Sequence, residues 1–252
     1  MTDATRLAVA LFRPDDGRAA DTADLLRSLG ADPVVDPMLD TRPTGAQPRD
    51  DADYVILTST TGVDCLTATD WDPGTATVCA IGPTTADALR EAGYPVDCVP
   101  EEYSSAGLLA TLRDEVGDAT VDIARSDAGS ATLPDGLAAA GATVHETTLY
   151  RLVRPEDAGH STELAAAGDL DAVLFTSPLT VEHFFDAATD RGLADRVHTA
   201  LNGADIVVGA IGTPTATAAR DHDVAVDVRP EHADIEALAT AVVEHAAPTH
   251  HS

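Results

Sequence analysis

Four short segments of this sequence set glycine and hydroxyl side chains where an apolar run gives way to an alanine-rich one. They are Thr58-Ser59-Thr60-Thr61-Gly62, Gly82-Pro83-Thr84-Thr85, Thr176-Ser177-Pro178 and Gly212-Thr213-Pro214-Thr215. A helix starting at such a corner turns backbone N–H groups and the positive end of its dipole outward, which makes an anion site without a cationic side chain. The same hydroxyls could do no more than cap the first turn. Arg13 and Arg125-Ser126 each close an apolar run. Either arginine could grip a carboxylate, or be spent on one of the chain's many acids. Tyr150 stands in an extended stretch and could hand a hydrogen bond or a proton to a leaving hydroxyl; it could equally be an aromatic plug.

Other chemistries are excluded by what is missing. All fifteen basic residues are arginine, so there is no P-loop lysine, Schiff base or pyridoxal-phosphate anchor. No G-x-G-x-x-G follows the first apolar run and no G-x-S-x-G occurs. Cys65, Cys79 and Cys98 lack C-x-x-C spacing, two of them belong to apolar segments, and they read as buried small side chains instead of metal ligands. His245, His250 and His251 show no H-E-x-x-H pattern, and neither a metal nor a cofactor is expected.

Against those 15 arginines stand 43 acids, a formal net charge of −28. Such a field repels phosphate backbones and anionic lipids, which argues against nucleic-acid and membrane partners. It suits an acidic surface in molar salt, where the Debye length is about 3 Å. Asp15-Asp16 and Asp50-Asp51 read as part of that solvated surface. No apolar run nears the roughly 20 residues that span a bilayer, and the first residues lack a basic-then-apolar signal, so a cytoplasmic monomer in a salt-rich cell is expected.

The elements that must position these residues alternate. Apolar runs at 7–12, 53–58, 77–81, 95–99, 121–125, 171–176, 205–211 and 224–228 read as strands; helices are expected over 15–29, 84–92 and 104–116, among others. Gly30 and Gly93 end two of these helices. Alternation of this kind builds parallel sheets covered on both faces. A repeat is superimposed on it. Ala80-Ile-Gly82, Thr85-Ala86, Val96-Asp97 and Pro100-Glu101 return 130 residues later as Ala210-Ile-Gly212, Thr215-Ala216, Val226-Asp227 and Pro230-Glu231. Residues 55–59 return as 173–177, and a weaker echo links Arg13 and Gly30-Ala31 to Arg125 and Gly141-Ala142.

The fold class expected from this order is α/β, with two similar flavodoxin-like domains, each a parallel sheet in a three-layer αβα stack. Residues 1–35 plus 155–252 form a discontinuous domain, and 37–146 an inserted one. Proline-bounded extended segments at 33–37 and 147–155 serve as a two-stranded β connector. The expected ligand site is a cleft between domains.

In combination, Val55-Ile-Leu-Thr-Ser-Thr60, Ala80-Ile-Gly-Pro-Thr-Thr-Ala86, Leu149-Tyr-Arg151, Phe175-Thr-Ser-Pro178 and Ala210-Ile-Gly-Thr-Pro-Thr-Ala-Thr-Ala-Ala219 resemble the uroporphyrinogen-III synthase family over nearly the whole chain. The chain departs from the usual pattern in its lack of lysine, and in Thr213-Pro214 where its own first copy has Pro83-Thr84. The resemblance implies a cofactor-free lyase that cyclises hydroxymethylbilane. The terminal hydroxyl leaves, an azafulvenium cation and a spiro intermediate follow, and uroporphyrinogen III forms with its last ring inverted. It further implies that Tyr150 assists hydroxyl departure. The corners Thr58-Ser59-Thr60, Gly82-Pro83-Thr84, Thr176-Ser177-Pro178 and Gly212-Thr213 would hold the substrate's eight carboxylates, with Arg13, Arg125 and Ser126. A non-enzymatic two-lobed binder of a small polycarboxylate or tetrapyrrole would carry the same corners, and product analysis with hydroxymethylbilane separates the two.

Overall fold

The structure, a computed structural model, describes residues 6–14 and 17–247. Asp15-Asp16, His250 and His251 lie outside the described residues. In chain order the first elements are β1 (Leu7–Leu11), α1 (Gly17–Ser28), β2 (Ala31–Val35), β3 (Asp40–Pro43), β4 (Tyr54–Leu57) and α2 (Thr60–Thr67). Then come β5 (Thr77–Ala80), α3 (Pro83–Glu91), α4 (Ser105–Leu112), β6 (Thr120–Ser126), α5 (Thr132–Ala139) and β7 (Thr143–Val153). The rest of the chain forms α6 (His160–Ala167), β8 (Ala172–Phe175), α7 (Pro178–Asp190), α8 (Ala194–Leu201), β9 (Val207–Ala210), α9 (Thr213–Asp221) and α10 (Ile235–Ala246). The protein is α/β, and β1–β2, β1–β8 and β8–β9 in one sheet and β4–β5, β4–β6 and β6–β7 in the other pair in parallel. Two compact units result, one running up to Asp40 and again from Val153, the other Thr41–Leu152.

In the first unit the sheet order is β2-β1-β8-β9. Successive side chains of a strand point to opposite faces, and β1 feeds two cores accordingly. Ala10 and Phe12 join Phe175 and Phe184 on one face, while Val9 and Leu11 join Leu26 and Leu238 on the other. The Phe12 and Phe175 rings stack at 4.9 Å. Gly30, at φ +86°, ends α1 in the left-handed conformation that lets the chain turn directly into β2.

The expectation that residues 33–37 act as a connector is corrected. Pro33 to Val35 belong to β2, in register with Val9 to Leu11, and an edge strand tolerates Pro33's missing donor. Asp36 then buries its carboxylate and accepts the Gly159 and Ser161 N–H groups at 3.0 and 2.8 Å, and the Ser161 hydroxyl. That bond set ties Asp36 to the start of α6, and the unit runs on to Asp40.

The second unit has the order β3-β7-β6-β4-β5. Its cores again lie on two faces, one around Leu57, Val63 and Trp71, the other around Ile56, Leu108 and Ile123. The other expected connector segment, 147–155, is strand as far as Val153 and holds the boundary between the units at Leu152 and Val153, but β7 also pairs in register with β6 up to Tyr150. The segments at 95–99 and 224–228 are strands only in outline, each reduced to a single bridge, Cys79 to Cys98 and Gly209 to Val228. The cause is one repeated aspartate. Asp97 accepts the Val78 N–H at 2.9 Å and Asp227 accepts the Val208 N–H at 2.8 Å. A carboxylate thus takes the donor that a longer ladder would have used.

Candidate functional site

Parallel strands bring all their C-terminal ends to one edge of a sheet, where loops and helix starts collect. In the second unit that edge carries Thr58, Ser59 and Thr60 after β4, Gly82, Pro83 and Thr84 after β5, and Arg125 and Ser126 at the end of β6. Ser59 caps α2, accepting the Gly62 N–H at 3.0 Å, and its Oγ lies 3.0 Å from the Tyr150 hydroxyl. A bulge makes that meeting possible. Arg125 faces Thr148 and Ser126 faces Tyr150, so Leu149 is an extra residue on β7. Leu149 and Tyr150 therefore enter the same core cluster, and Tyr150 remains 7% exposed. Its ring is packed like a plug while its hydroxyl stays with Ser59.

Arg125 is committed elsewhere. Its guanidinium pairs with Glu146, with Nε at 2.8 Å, and donates to the Ser130 carbonyl at 2.6 Å. A side chain at Gly129 would strike it, since a Cβ there would stand 2.5 Å from the guanidinium. The arginine thus holds the 126–130 loop instead of offering itself outward.

At the next corner Gly82 starts α3 in extended conformation with no side-chain cap, and Pro83 lacks an N–H, so Thr84 and Thr85 supply the first-turn donors. Tyr103 covers this corner. A Cβ on Gly82 would lie 3.2 Å from the Tyr103 Cβ, yet the tyrosine is 64% exposed. The loop is pressed into place from behind, where a Cβ on Gly107 would meet the Glu102 carbonyl at 1.9 Å.

The first unit repeats the arrangement with different fittings. Thr176, Ser177 and Pro178 follow β8; Ser177 caps α7 in a reciprocal box with Thr180, at 3.2 and 3.3 Å. Gly212 starts α9 without a side-chain cap, and Thr213 and Thr215 provide donors on either side of Pro214. The exchange of Pro83-Thr84 for Thr213-Pro214 therefore moves the missing N–H by one position. Arg229 reaches this corner, donating to the Thr213 hydroxyl at 3.2 Å. Arg13 follows β1, donates to Thr22 Oγ1 at 3.4 Å, and lines a cavity of about 330 Å³ with Arg18, Ile235 and Glu236.

Tyr103 and Arg229 are the residues that sequence reasoning missed. A signal for both was present, because the 130-residue repeat places Tyr103 against Ala233 and Val99 against Arg229. These are the substitutions that make the two otherwise matching glycine corners chemically different. His245 lies in the last turn of α10. Among the described residues no group of three or more His, Cys, Asp or Glu side chains could hold a metal ion, and no helix is long and apolar enough to cross a membrane.

The molecule is thus an α/β protein of parallel sheets whose polar and glycine corners gather at strand C-terminal ends. Residues 20–240 match the family described as Uroporphyrinogen-III synthase HemD. A protein of Methanothermobacter thermautotrophicus, provisionally named a uroporphyrinogen-III synthase, is 34% identical over 199 residues, 73% of this chain and 78% of its own length. The uroporphyrinogen-III synthase of Chlorobaculum parvum is 31% identical over 170 residues, 66% of this chain and 65% of its own. In fold, the chain is similar to a mutant uroporphyrinogen III synthase from Thermus thermophilus (TM-score 0.64, 24% identity, 95% and 98% of the two chains). It is also similar to the Helicobacter pylori protein (TM-score 0.62, 12% identity, 95% and 99%). The chain belongs to the uroporphyrinogen-III synthase family of cyclising lyases in tetrapyrrole biosynthesis.

Proposed function

We propose that this chain closes hydroxymethylbilane to uroporphyrinogen III without a cofactor, with Tyr150 as the proton donor to the departing hydroxyl and Ser59 as the residue that orients it. The observation that carries this reading is the 3.0 Å contact between Ser59 Oγ and the Tyr150 hydroxyl. Ser59 Oγ already accepts the Gly62 N–H. When the serine also donates its proton to the tyrosine oxygen, the phenolic proton is free to point at a ligand. The hydroxymethyl C–O bond breaks, the oxygen leaves as water with the phenolic proton, and the azafulvenium cation remains. The phenolate recovers a proton when the closed ring loses one from the carbon attacked. Most of the acceleration is positioning of the two chain ends.

The carboxylates are held in this reading by the amides of Thr84, Thr85, Thr213 and Thr215, whose helix starts have no side-chain cap. Thr58, Thr60, Thr176, Pro178 and Ser126 shape the same edges, Arg13 pairs with a carboxylate, and Arg125 acts from within by fixing its loop. Membership in an enzyme family favours turnover over the non-catalytic binder. The flavodoxin-like reading of both units draws on strand order: β2-β1-β8-β9 with Val228 beside β9 has its counterpart in β7-β6-β4-β5 with Cys98 beside β5. The chain is further read as a cytoplasmic monomer.

The test supplies hydroxymethylbilane and resolves type III from type I product after oxidation. The type III isomer must dominate. Tyr150→Phe is expected to slow turnover about tenfold, less than the usual worth of a general acid because the hydroxymethylpyrrole ionises readily. Ser59→Ala should act in the same direction and also cost about 1 kcal/mol of helix capping. A Tyr150→Phe protein with the wild-type rate removes the tyrosine from the mechanism.

The two differing corners make a separate prediction. Arg229→Gln and Tyr103→Ala should each raise KM about fivefold, the worth of about 1 kcal/mol for an exposed charged or aromatic contact, with kcat little changed. Steady-state kinetics check it, and unchanged KM in both variants would separate these corners from substrate binding.

A further inference from the structure

Two of the three cysteines, far apart by sequence pattern, lie face to face. Cys98 accepts the Ala80 N–H at 2.9 Å and donates to the Val78 carbonyl at 3.3 Å, which places Cys79 directly opposite it on the neighbouring strand. Register partners on parallel strands point to the same face, and both thiols belong to the cluster of Leu108 and Ile123. Their Cα spacing is that of an adjacent-strand pair, roughly 5 Å, inside the range that disulfides span. Cys79 is fully buried, whereas Cys98 is half-buried and reachable. Cys65 stands apart, free and on α2.

We propose that Cys79 and Cys98 form a hydroperoxide-responsive dithiol that closes to a disulfide, with Cys98 as the attacking thiolate and Cys79 as the resolving thiol. In the first step the Cys98 sulfur attacks one peroxide oxygen and the O–O bond breaks. Cys98 becomes a sulfenic acid, and the other oxygen leaves as water or an alcohol after taking a proton. In the second step Cys79 attacks that sulfur, the S–O bond breaks, and a second water carries away the Cys79 proton. Two electrons pass from the two thiols to one peroxide bond.

The polarity of the pair follows from its surroundings. A hydrogen bond from the Cys79 thiol favours the Cys98 thiolate and brings Cys98 down to about 7, against its partial burial and the nearby Glu115 and Asp97 carboxylates. The same hydrogen bond, together with burial, pushes Cys79 upward, so it keeps its proton until it is needed. The other unit has no such device, since the equivalent positions are Gly209 and Val228. The pair sits immediately behind the Gly82 corner, and a bond between its sulfurs would tie β5 to the segment that leads to Tyr103.

The full-length Cys65→Ser chain, which retains only this pair, is treated with hydrogen peroxide and then with trypsin under non-reducing conditions. The expected result is loss of both free thiols and a linked pair of peptides, one ending at Arg90 and the other beginning at Glu91, separated again by dithiothreitol. Thiols that stay reduced, or Cys98 carried on to a sulfinic acid while Cys79 remains free, would overturn the proposal. In a Cys79→Ala variant, iodoacetamide alkylation of Cys98 should titrate at higher pH than in wild type. An unchanged profile removes Cys79 as the thiol that activates it.

Discussion

Replacing Asp36 by alanine should destabilise the chain by about 3 kcal/mol, because three donors inside the fold lose their acceptor at once. The carboxylate is 5% exposed and accepts from Gly159 N, Ser161 N and the Ser161 hydroxyl. It is in effect the N-terminal cap of α6 supplied from a distant part of the sequence, since Gly159 gives that helix no side-chain cap of its own. Leaving a buried donor unpaired costs about 1–3 kcal/mol, and local relaxation keeps the three losses from adding in full. Asp36→Asn retains one acceptor oxygen and should lose about half as much, while Ser161→Ala, which removes a donor together with its need, should lose about 1 kcal/mol. Urea unfolding checks the series: the midpoint for Asp36→Ala should fall by about 1 M or more at unchanged slope. An alanine variant within about 0.5 kcal/mol of wild type would mean that the turn at residues 36–40 is held by something else.

That aspartate also marks where sequence reading stopped. Apolar period and glycine punctuation made the α/β alternation legible, because each depends only on neighbouring residues. Proline-bounded Pro33-Val-Val-Asp-Pro37 looked like a connector for the same reason. Nothing local to it reveals that Asp36 finds its partners more than 120 residues later. The shortened strands at 95–99 and 224–228 have a similar origin. Both segments are apolar enough for a strand, but Asp97 and Asp227 withdraw a ladder donor through their side chains.

The site divides along the same line. Corners made by contiguous residues, such as Thr58-Ser59-Thr60 or Gly212-Thr213, could be found because helix starts have a local signature. The Ser59 to Tyr150 contact joins residues 91 positions apart and depends on a bulge at Leu149, which no composition reveals. Arg125 illustrates the converse. Its type and place at a strand end made a carboxylate clamp reasonable, and Glu146, in the neighbouring strand, decided the outcome. Cys79 and Cys98 were invisible as a pair because parallel register brings together residues whose spacing carries no motif.

Raising KCl from about 0.1 M to about 1 M should both stabilise the chain and tighten its apparent hold on hydroxymethylbilane, in the reading that makes it the substrate. With 43 acids against 15 arginines, carboxylates outnumber the cations available to pair with them. Several arginines are spent on local exposed pairs such as Arg27 with Asp24 and Arg90 with Asp87, which contribute little to stability. Two exposed like charges 10 Å apart repel by roughly 0.4 kcal/mol in water, and shortening the screening length from about 10 Å to about 3 Å removes most of that. Summed over the surface, the gain is on the order of several kcal/mol, measurable as a rise in thermal midpoint with salt. The substrate meets the same field as a polyanion approaching a polyanion. Molar salt suppresses that long-range repulsion, whereas amide contacts of about 3 Å at the Gly82 and Gly212 corners are shorter than, or equal to, the screening length and persist. KM should therefore fall with KCl and then level. Lysine-free and arginine-poor binding by backbone dipoles predicts that sign; binding dominated by arginine side chains predicts a steady rise in KM with salt. Kinetics across a KCl series, on protein held folded by circular dichroism criteria at every point, decides between the two.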